Sequence, residues 1–260
     1  METYATADQI KAHLNVDGDQ DDAIITSMLI YATRAIEDFC RRRFAVEYGV
    51  REFDTVDGRC VMLTDLLSAD LVQLVDCDGV ATETEDYRLL PLNSYPKLLM
   101  YLEPSTRFRG VRVTGWWGYG DGRRALPFDT VELTGTIGAT GTTLSVSGSV
   151  ALAVGQTIRI EDEIMRVASF NVQLMTAKVE RGANGTTTAA HSAAPVLVAS
   201  YPASIVHATV AIASEYFATR GNEHLVHEMQ GDYQWRKFEG ATGNIVARMD
   251  QMVGKYTVRA

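Results

Sequence analysis

The hydrophobic positions near the amino terminus repeat with the period of an α-helix. Thr6-Ala-Asp-Gln9 has the form of a capping box, which predicts a short helix that ends near Asp17-Gly18. A second, longer stripe has acidic residues before it and Arg41-Arg-Arg43 after it. Both charge clusters are favourable at the ends of a helix, because they compensate its dipole. The apolar residues of this stripe, at three- and four-residue spacing, are Ile24, Ile25, Met28, Leu29, Ala32, Ile36 and Phe39.

From residue 44 to residue 113 the apolar pattern shifts toward a period of two, which is typical of strands. Asp78-Gly79 predicts a hairpin turn, since glycine accepts a positive φ there. A small antiparallel sheet is therefore expected in this region. Its clearest strands are predicted at Tyr48–Phe53, Leu71–Val75 and Val111–Val113.

A Gly- and Thr-rich stretch, residues 131–200, separates these strands from a further helical stripe that runs from Ile205 to Phe217. Several short strands in this stretch indicate a compact β module, and Asn184-Gly185 marks a tight turn within it. The predicted strands are Thr143–Val146, Thr157–Ile160, Ile164–Val167 and Val172–Val179. The predicted fold class is α+β: a helical domain with a small antiparallel sheet, plus an inserted all-β barrel or sandwich.

This pattern predicts three parts of the chain. Residues 1–130 and 201–230 form one discontinuous helical or α+β domain, residues 131–200 form the inserted β domain, and residues 231–260 form a carboxyl-terminal tail. The tail scatters large apolar side chains among Gly, Gln and charged residues, so either a partner buries them or the tail folds back on its own domain. The candidate partner-binding residues are Tyr233, Trp235, Phe238, Ile245, Met249, Met252, Val253 and Tyr256.

Composition excludes several classes of function. The chain has 24 Lys and Arg against 33 Asp and Glu, a formal charge of −9, which disfavours a protein that coats nucleic acid. Its three cysteines form no CxxC pair, so neither a disulfide framework nor a zinc cage is indicated. Because no signal peptide or membrane-spanning run is evident, we expect a soluble, unexported protein that needs no membrane.

The sequence contains no standard catalytic motif. His224 and His227 could share a metal ion, but a polar helix end explains them more simply. Trp116-Trp117 could stack a sugar or a base, but aromatic residues beside glycines at a strand end are more often buried. We therefore predict that the protein is not an enzyme and that it binds no metal or cofactor.

Two halves of the chain resemble the head-tail connector (adaptor) proteins of tailed bacteriophages. The first similarity begins at Ala7-Asp-Gln-Ile-Lys-Ala-His-Leu-Asn-Val16 and continues through Ala35-Ile-Glu-Asp-Phe39. The second runs from Val113-Thr-Gly-Trp-Trp-Gly-Tyr-Gly120 to Leu126-Pro127 and resumes after the insert, through Tyr216-Phe217-Ala-Thr-Arg220. The insert is itself similar to small β modules that recur in phage structural proteins, in its runs Asp162–Val167, Val179–Thr186 and Ala190–Pro195.

The resemblance implies a structural protein of the virion neck, between capsid and tail, made in the cytoplasm of a host bacterium. It implies a ring of about twelve copies that binds under the portal protein, with a tail-side stopper or tail-completion protein beneath it. The carboxyl-terminal tail would clasp the portal. DNA would pass through the channel without specific binding, which the acidic composition favours because it repels phosphate.

A different class of function remains open. The β insert could carry a carbohydrate- or host-surface-binding module, with the aromatic residues as its platform. Glycan-array screening of residues 131–200 would separate this alternative from the connector hypothesis.

Overall fold

A computed structural model gives the fold of the chain. It describes residues 2–55, 59–103, 108–220, 227–230, 233–236 and 248–258. Helices, an antiparallel sheet and a closed six-stranded barrel are present, which confirms the predicted α+β class with an inserted barrel. Contacts within the chain divide it into two compact units, one formed by Met1–Arg42 with Ala203–Ala260 and the other by Arg43–Pro202.

The first unit is helical. It contains α1 (Ala7–Leu14), α2 (Asp22–Cys40), α3 (Ala203–Thr219) and a helical segment at 248–253. The capping box of α1 is confirmed: the Thr6 hydroxyl accepts a hydrogen bond from the Gln9 amide at 3.3 Å, and the Thr6 amide donates to Gln9 Oε1 at 2.9 Å. Two of the four orphan amides at the start of α1 are thereby linked to side chains.

Helix α3 is the centre of this unit, because α1 and α2 both pack against it. Its small and apolar side chains are buried around much of its circumference. The buried apolar residues of α1 to α3 are Ile10, Ile25, Leu29, Ala32, Ile36, Cys40, Ile205, Ala208, Ala211, Ile212, Ala213 and Phe217. The two long helices that the sequence pattern predicted, α2 and α3, pack on each other.

The second unit begins with an antiparallel sheet. Its strands are β1 (Glu47–Asp54), β2 (Cys60–Val75), β3 (Ala81–Glu83), β4 (Tyr87–Leu90), β5 (Lys97–Leu102) and β6 (Gly110–Trp117). The order is β1-β6-β2-β5-β4, with β3 paired to β2. The long strand β2 pairs with β5 through its first half and with β6 through its second. All three predicted strands lie within β1, β2 and β6, and the predicted turn has Gly79 at φ 83°.

One face of this sheet forms an apolar core. The Trp117 indole lies in this core and donates to Gly49 O at 2.9 Å, while the Arg51 guanidinium stacks on its ring at 4.5 Å. Alternate residues of β2, β5 and β6 supply the rest, as expected for strands with one buried face. The fully or nearly buried members are Val61, Leu63, Leu66, Val72, Met100, Leu102, Phe108, Val111, Val113 and Trp117.

The remaining strands close into a barrel: β7 (Phe128–Ile137), β8 (Thr143–Gly148), β9 (Thr157–Ile160), β10 (Glu163–Asn171), β11 (Thr176–Glu180) and β12 (His191–Ala199). Around the barrel the order is β10-β11-β8-β7-β12-β9, with β9 paired back to β10. Closure leaves no unpaired sheet edge. Aliphatic side chains fill the interior: Leu133, Ile137, Leu144, Val146, Leu152, Ile158, Ile160, Met165, Val167, Ala177, Val179, Ala194 and Val196.

Two details of the insert differ from the sequence analysis. The strand predicted at Val172–Val179 begins only at Thr176, because Asn171 Oδ1 accepts the Leu174 amide at 2.9 Å and folds the intervening residues into a turn. Strands β7 and β12 were not predicted. Their long-range pairing across the insert joins Phe128 to Ala199 and Ile137 to His191, which no local pattern indicates.

The glycine loop between β6 and β7 is partly buried, with Gly118 and Gly120 inside the fold. Two of its amides donate to the segment that follows α2: Tyr119 N to Arg43 O at 2.9 Å and Gly120 N to Phe44 O at 3.0 Å. A third, Gly118 N, donates to Asp65 O of β2 at 2.8 Å. Gly118 has φ 125°, and a Cβ there would meet a backbone oxygen at 2.1 Å. The loop therefore fastens the start of the barrel to the start of the sheet.

Candidate functional site

The candidate partner-binding residues of the carboxyl-terminal tail fall into three groups. Tyr233 and Trp235 lie on β14 (Tyr233–Arg236), which pairs antiparallel with β13 (His227–Gln230). Phe238 and Ile245 lie outside the described residues, as does His224. The side chains of Met249, Val253 and Tyr256 are buried in the helical unit, and Met252 is half-buried.

The end of the chain is anchored to α2 and α3. The Val258 amide donates to Cys40 O at 3.0 Å, and the Cys40 thiol lies 3.8 Å from Val253 O. The hydroxyls of Tyr256 and Ser204 are 2.8 Å apart. Burial raises the pKa of the Cys40 thiol to about 11, so this group stays protonated and unreactive at neutral pH.

The charged residues that bound α2 have structural partners. Lys11 pairs with Asp22, and Arg220 pairs with Asp21 at 3.4 Å. Arg41 ends the helix in the left-handed conformation, with its amide directed to Asp38 O and Glu37 O. The arginine triplet is therefore the end of a helix, as the charge pattern indicated.

A buried polar network lies at one end of the barrel, around the carboxylate of Glu163. Arg181 binds this carboxylate with two nitrogens, each at 2.6 Å, and the amides of Gly182 and Ala189 donate to it at 3.0 Å. His191 Nε2 lies 2.9 Å from it. Burial alone would raise the pKa of Glu163, but these hydrogen bonds outweigh it and hold the pKa at about 2.

Arg181 extends the network to a second turn of the barrel. Its Nη1 donates to Gly138 O at 2.8 Å and to Gly141 O at 2.9 Å, both in the β7–β8 turn. On the other side, His191 Nδ1 lies 2.8 Å from the exposed carboxylate of Glu161. Arg181 and Glu163 thus hold together the β7–β8 turn, strand β10 and the segment 181–191. This network includes residues of the three insert runs noted in the sequence analysis.

The loop that follows Arg181 joins the barrel to the sheet, and we call residues 181–186 the junction loop. Asn184 Nδ2 donates to Val46 O at 2.9 Å, just before β1. The Thr186 hydroxyl accepts the Ile164 amide at 3.0 Å and donates to Ala183 O at 2.8 Å. Gly185 has φ 82°, and a Cβ there would meet Tyr48 O at 2.1 Å. The loop therefore lies directly against the beginning of β1.

An apolar cluster supports this junction between sheet and barrel. The indole of Trp116 is buried in it and contacts the Tyr48 ring, with ring centroids 4.9 Å apart. Arg159 of β9 stacks on Trp116 at 5.3 Å. The buried members of the cluster come from both layers: Val46, Leu67, Trp116, Phe128 and Ile164.

These positions decide the role of the aromatic residues. Both Trp116 and Trp117 are buried, so they form no exposed platform for a sugar or a base. Residues 131–200 contain one aromatic residue, Phe170, and it packs partly against the barrel core. The structure therefore gives the carbohydrate-binding alternative no stacking surface in the insert.

The residues that the structure describes contain no group of three or more His, Cys, Asp or Glu side chains placed to hold a metal ion. Within the same ranges, no helix is long and apolar enough to cross a membrane. The buried polar groups around Glu163 are hydrogen-bonded to one another.

Comparison with known protein families gives a match in the first part of the chain. Residues 4–74 match the family described as phage gp6-like head-tail connector protein. The match covers α1, α2, β1 and almost all of β2, and it confirms the resemblance to head-tail connectors over that segment. The family is one of structural proteins of the phage neck, not of enzymes. Comparisons with curated proteins and with solved structures found no match.

Proposed function

We propose that this protein is a head-tail connector that forms a ring under the portal, joins the capsid to the tail and lets DNA pass. The match of residues 4–74 to the connector family carries this proposal. The matched segment supplies α1 and α2 to the helical unit and β1 and most of β2 to the sheet, so it contributes elements to both compact units. The ring contains about twelve copies, each in contact with its neighbours.

The portal contact is assigned to the carboxyl-terminal tail. Met249, Val253 and Tyr256 are buried against α2 and α3 and serve as its anchor. Tyr233, Trp235, Phe238, Ile245 and Met252 are then the residues proposed to contact the portal. Large aromatic side chains supply much of the binding free energy of protein interfaces, which suits Tyr233 and Trp235 to this role.

The charge of the chain fits a channel that conducts DNA. With a net charge of −9, the ring repels phosphate and does not retain the passing duplex. No specific DNA contact is part of the proposal. A tail-side stopper or tail-completion protein binds the face of the ring that points away from the capsid. The chain itself is made in the cytoplasm of the host bacterium.

Negative-stain microscopy of purified portal rings mixed with the purified chain tests this function. We expect an added layer of density on one face of the portal. Trp235→Ala should weaken the contact, whereas Tyr31→Ala, which removes an exposed aromatic side chain from α2, should leave it intact. Portal rings that remain bare at saturating protein would refute the proposal.

A further inference from the structure

The imidazole ring of His191 is buried between two carboxylates. His191 is the first residue of β12, and its side chain is 1% exposed. Its Nε2 atom lies 2.9 Å from Glu163 Oε2, and its Nδ1 atom lies 2.8 Å from Glu161 Oε2. Both distances are those of hydrogen bonds, and an ionised carboxylate can only accept. The protonation of the ring therefore decides whether both contacts can exist.

Glu163 fixes a proton on Nε2. Burial raises the pKa of this carboxyl, but hydrogen bonds from Arg181, from the amides of Ala189 and Gly182 and from His191 hold it at about 2. The carboxylate is thus ionised throughout the neutral range and has no proton to donate. A ring nitrogen 2.9 Å from it has to be the donor, so Nε2 carries a hydrogen.

Glu161 makes the corresponding demand on Nδ1. Its carboxylate is 60% exposed and lies on the other side of the ring. A neutral imidazole has one N–H donor and one lone pair. With Nε2 protonated, it would direct the lone pair of Nδ1 at an ionised oxygen 2.8 Å away. The imidazolium donates from both nitrogens, so the two contacts together are those of a doubly protonated His191.

Two further charged groups lie near this site. The Arg181 guanidinium binds the same Glu163 carboxylate with two nitrogens at 2.6 Å, so its charge is compensated there. Asp162 is next to Glu161 in the β9–β10 turn, but it is 92% exposed and lies 3.2 Å from Arg159 of β9. Among the contacts of the described ranges, Asp162 has no hydrogen bond to the ring. It therefore carries the same charge as Glu161 without the same contact.

The other segments around the ring bring no charge to it. Neither residues 138–142 of the β7–β8 turn nor residues 182–190 include a charged side chain, and β12 has none after its first residue. Strand β7 pairs with the start of β12 through Ile137. Its charged residues, Asp129 and Glu132, lie well before that position along the strand. The two carboxylates that contact the ring therefore determine its state.

The two contacts respond differently when the ring loses one proton. Glu163 is buried and cannot turn into water, so Nε2 keeps its hydrogen. Glu161 faces solvent, so water can replace the ring as the partner of its carboxylate. The proton therefore leaves Nδ1, the Nε2–H tautomer remains, and Glu161 is released.

The backbone at Glu161 gives this release a structural consequence. Glu161 has φ 51°, in the left-handed region, which is unfavourable for a residue with a Cβ. It begins the turn between β9 and β10, and its contact with His191 ties that turn to the start of β12. Loss of the contact removes one of the interactions that hold the turn in this conformation.

We propose that the contact between His191 and Glu161 is a pH-sensitive latch of the barrel. The latch is closed while His191 is an imidazolium, and it opens when Nδ1 loses its proton to solvent. Opening leaves the Glu163 network in place and frees the β9–β10 turn. This inference goes beyond the connector function and does not depend on it, because every group involved lies within one barrel.

Nuclear magnetic resonance of the ring nitrogens, in the full-length chain labelled with 15N, reads the charge and the tautomer of His191. The exposed His13 of α1 is the internal reference. Over a titration from about pH 5 to about pH 9, we expect His191 to pass from the doubly protonated ring to a single Nε2–H tautomer. A ring whose charge does not change over this range, or one that keeps its hydrogen on Nδ1, would overturn the inference.

Matched removal of one negative charge separates the contact from a general effect of charge in the turn. Glu161→Gln removes the carboxylate that faces Nδ1, and Asp162→Asn removes the adjacent one, which pairs with Arg159. At the pH where half of the wild-type rings are protonated, Glu161→Gln should lower the ratio of protonated to neutral His191 about fivefold. Asp162→Asn should lower it less than about twofold. Equal effects of the two substitutions would overturn the inference.

The backbone amides of the turn report whether the latch moves it. In the wild type, the amide signals of Glu161 and Asp162 should shift with the same midpoint as the His191 ring. In Glu161→Gln this coupled shift should be smaller, because an uncharged amide binds the ring weakly at every pH. Turn signals that do not follow the ring in the wild type would show that the contact is not a latch, and the proposal would be wrong.

Discussion

At the scale of single residues, the insert depends on the charge of Glu163. Its carboxylate lies within 3.0 Å of nitrogens from Arg181, Gly182, Ala189 and His191, and all are provided by the segment 181–191. That segment contains little apolar surface of its own that is buried. Its conformation therefore rests on ionic hydrogen bonds, which are stronger than neutral ones but require Glu163 to be deprotonated.

Glu163→Gln should lower the free energy of unfolding by about 3 kcal/mol at neutral pH, because it leaves Arg181 buried without its counter-charge. The folded pKa of Glu163, about 2, lies below the ordinary value of 4.5. Its stabilising contribution is therefore complete above about pH 4.5 and is lost as pH falls toward 2. Denaturant unfolding of wild type and variant across this range should show the difference shrinking at acid pH.

The control for this experiment is Glu180→Gln. Glu180 pairs with Arg166 at 2.8 Å on the outside of the same barrel, and its side chain is exposed. Exposed ion pairs contribute about 0 to 1 kcal/mol, so this variant should resemble the wild type at every pH. A difference between Glu163→Gln and wild type that does not change with pH would contradict the assigned role of the Glu163 charge.

At the scale of elements, the junction loop couples the barrel to the sheet. Asn184 occupies the left-handed region at φ 54°, and its side chain reaches Val46 O across the junction. Gly185 permits the close approach to Tyr48 O. Because both layers belong to one compact unit, we expect the sheet and the barrel to unfold together.

Asn184→Gly tests this coupling, since glycine tolerates the left-handed backbone and the substitution removes the side-chain hydrogen bond to Val46 O. The expected cost is about 1 kcal/mol in the free energy of unfolding. Asn15→Gly is the matched control, because Asn15 caps α1 at φ 54° and no hydrogen bond of its side chain is found in the described ranges. Equal effects of the two changes on unfolding would argue against the Asn184 contact.

The capping box of α1 makes a separate prediction in the family-matched segment. Thr6→Ala removes the hydroxyl that accepts the Gln9 amide and should cost about 1 kcal/mol. Thr6→Ser keeps the acceptor and should cost less than half as much. Chemical denaturation of the three proteins checks the order, and an equal loss for both variants would contradict the capping role.

The sequence predicted those elements whose signals are local. The capping box and the apolar stripe gave α1 and α2, and turn residues with alternating patterns gave β1, β8 and β9. Strands β7 and β12 were not predicted, because their pairing partners are distant in the chain. The Glu163 network was not predicted, because its members come from separate segments. Exposed positions such as Leu174 and Met62 could not be identified, since burial depends on the closed barrel and on the sheet register.

At the scale of the whole molecule, the chain combines a segment that matches the connector family with a closed β-barrel. The family match ends at residue 74, and the resemblance of residues 75–130 and 201–222 to the same family stays a prediction. So does the division into domains at 1–130 with 201–230, 131–200 and 231–260. In the proposed neck assembly, we expect the carboxyl-terminal tail to meet the portal.

The central claim is that this chain is the connector between portal and tail. Cryo-electron microscopy of the neck in phage particles that contain the chain tests it most directly. We predict a ring of density beneath the portal into which each of the two compact units can be fitted separately. A neck whose density is fully explained by other proteins, with this chain found elsewhere in the particle or missing from it, would contradict the account.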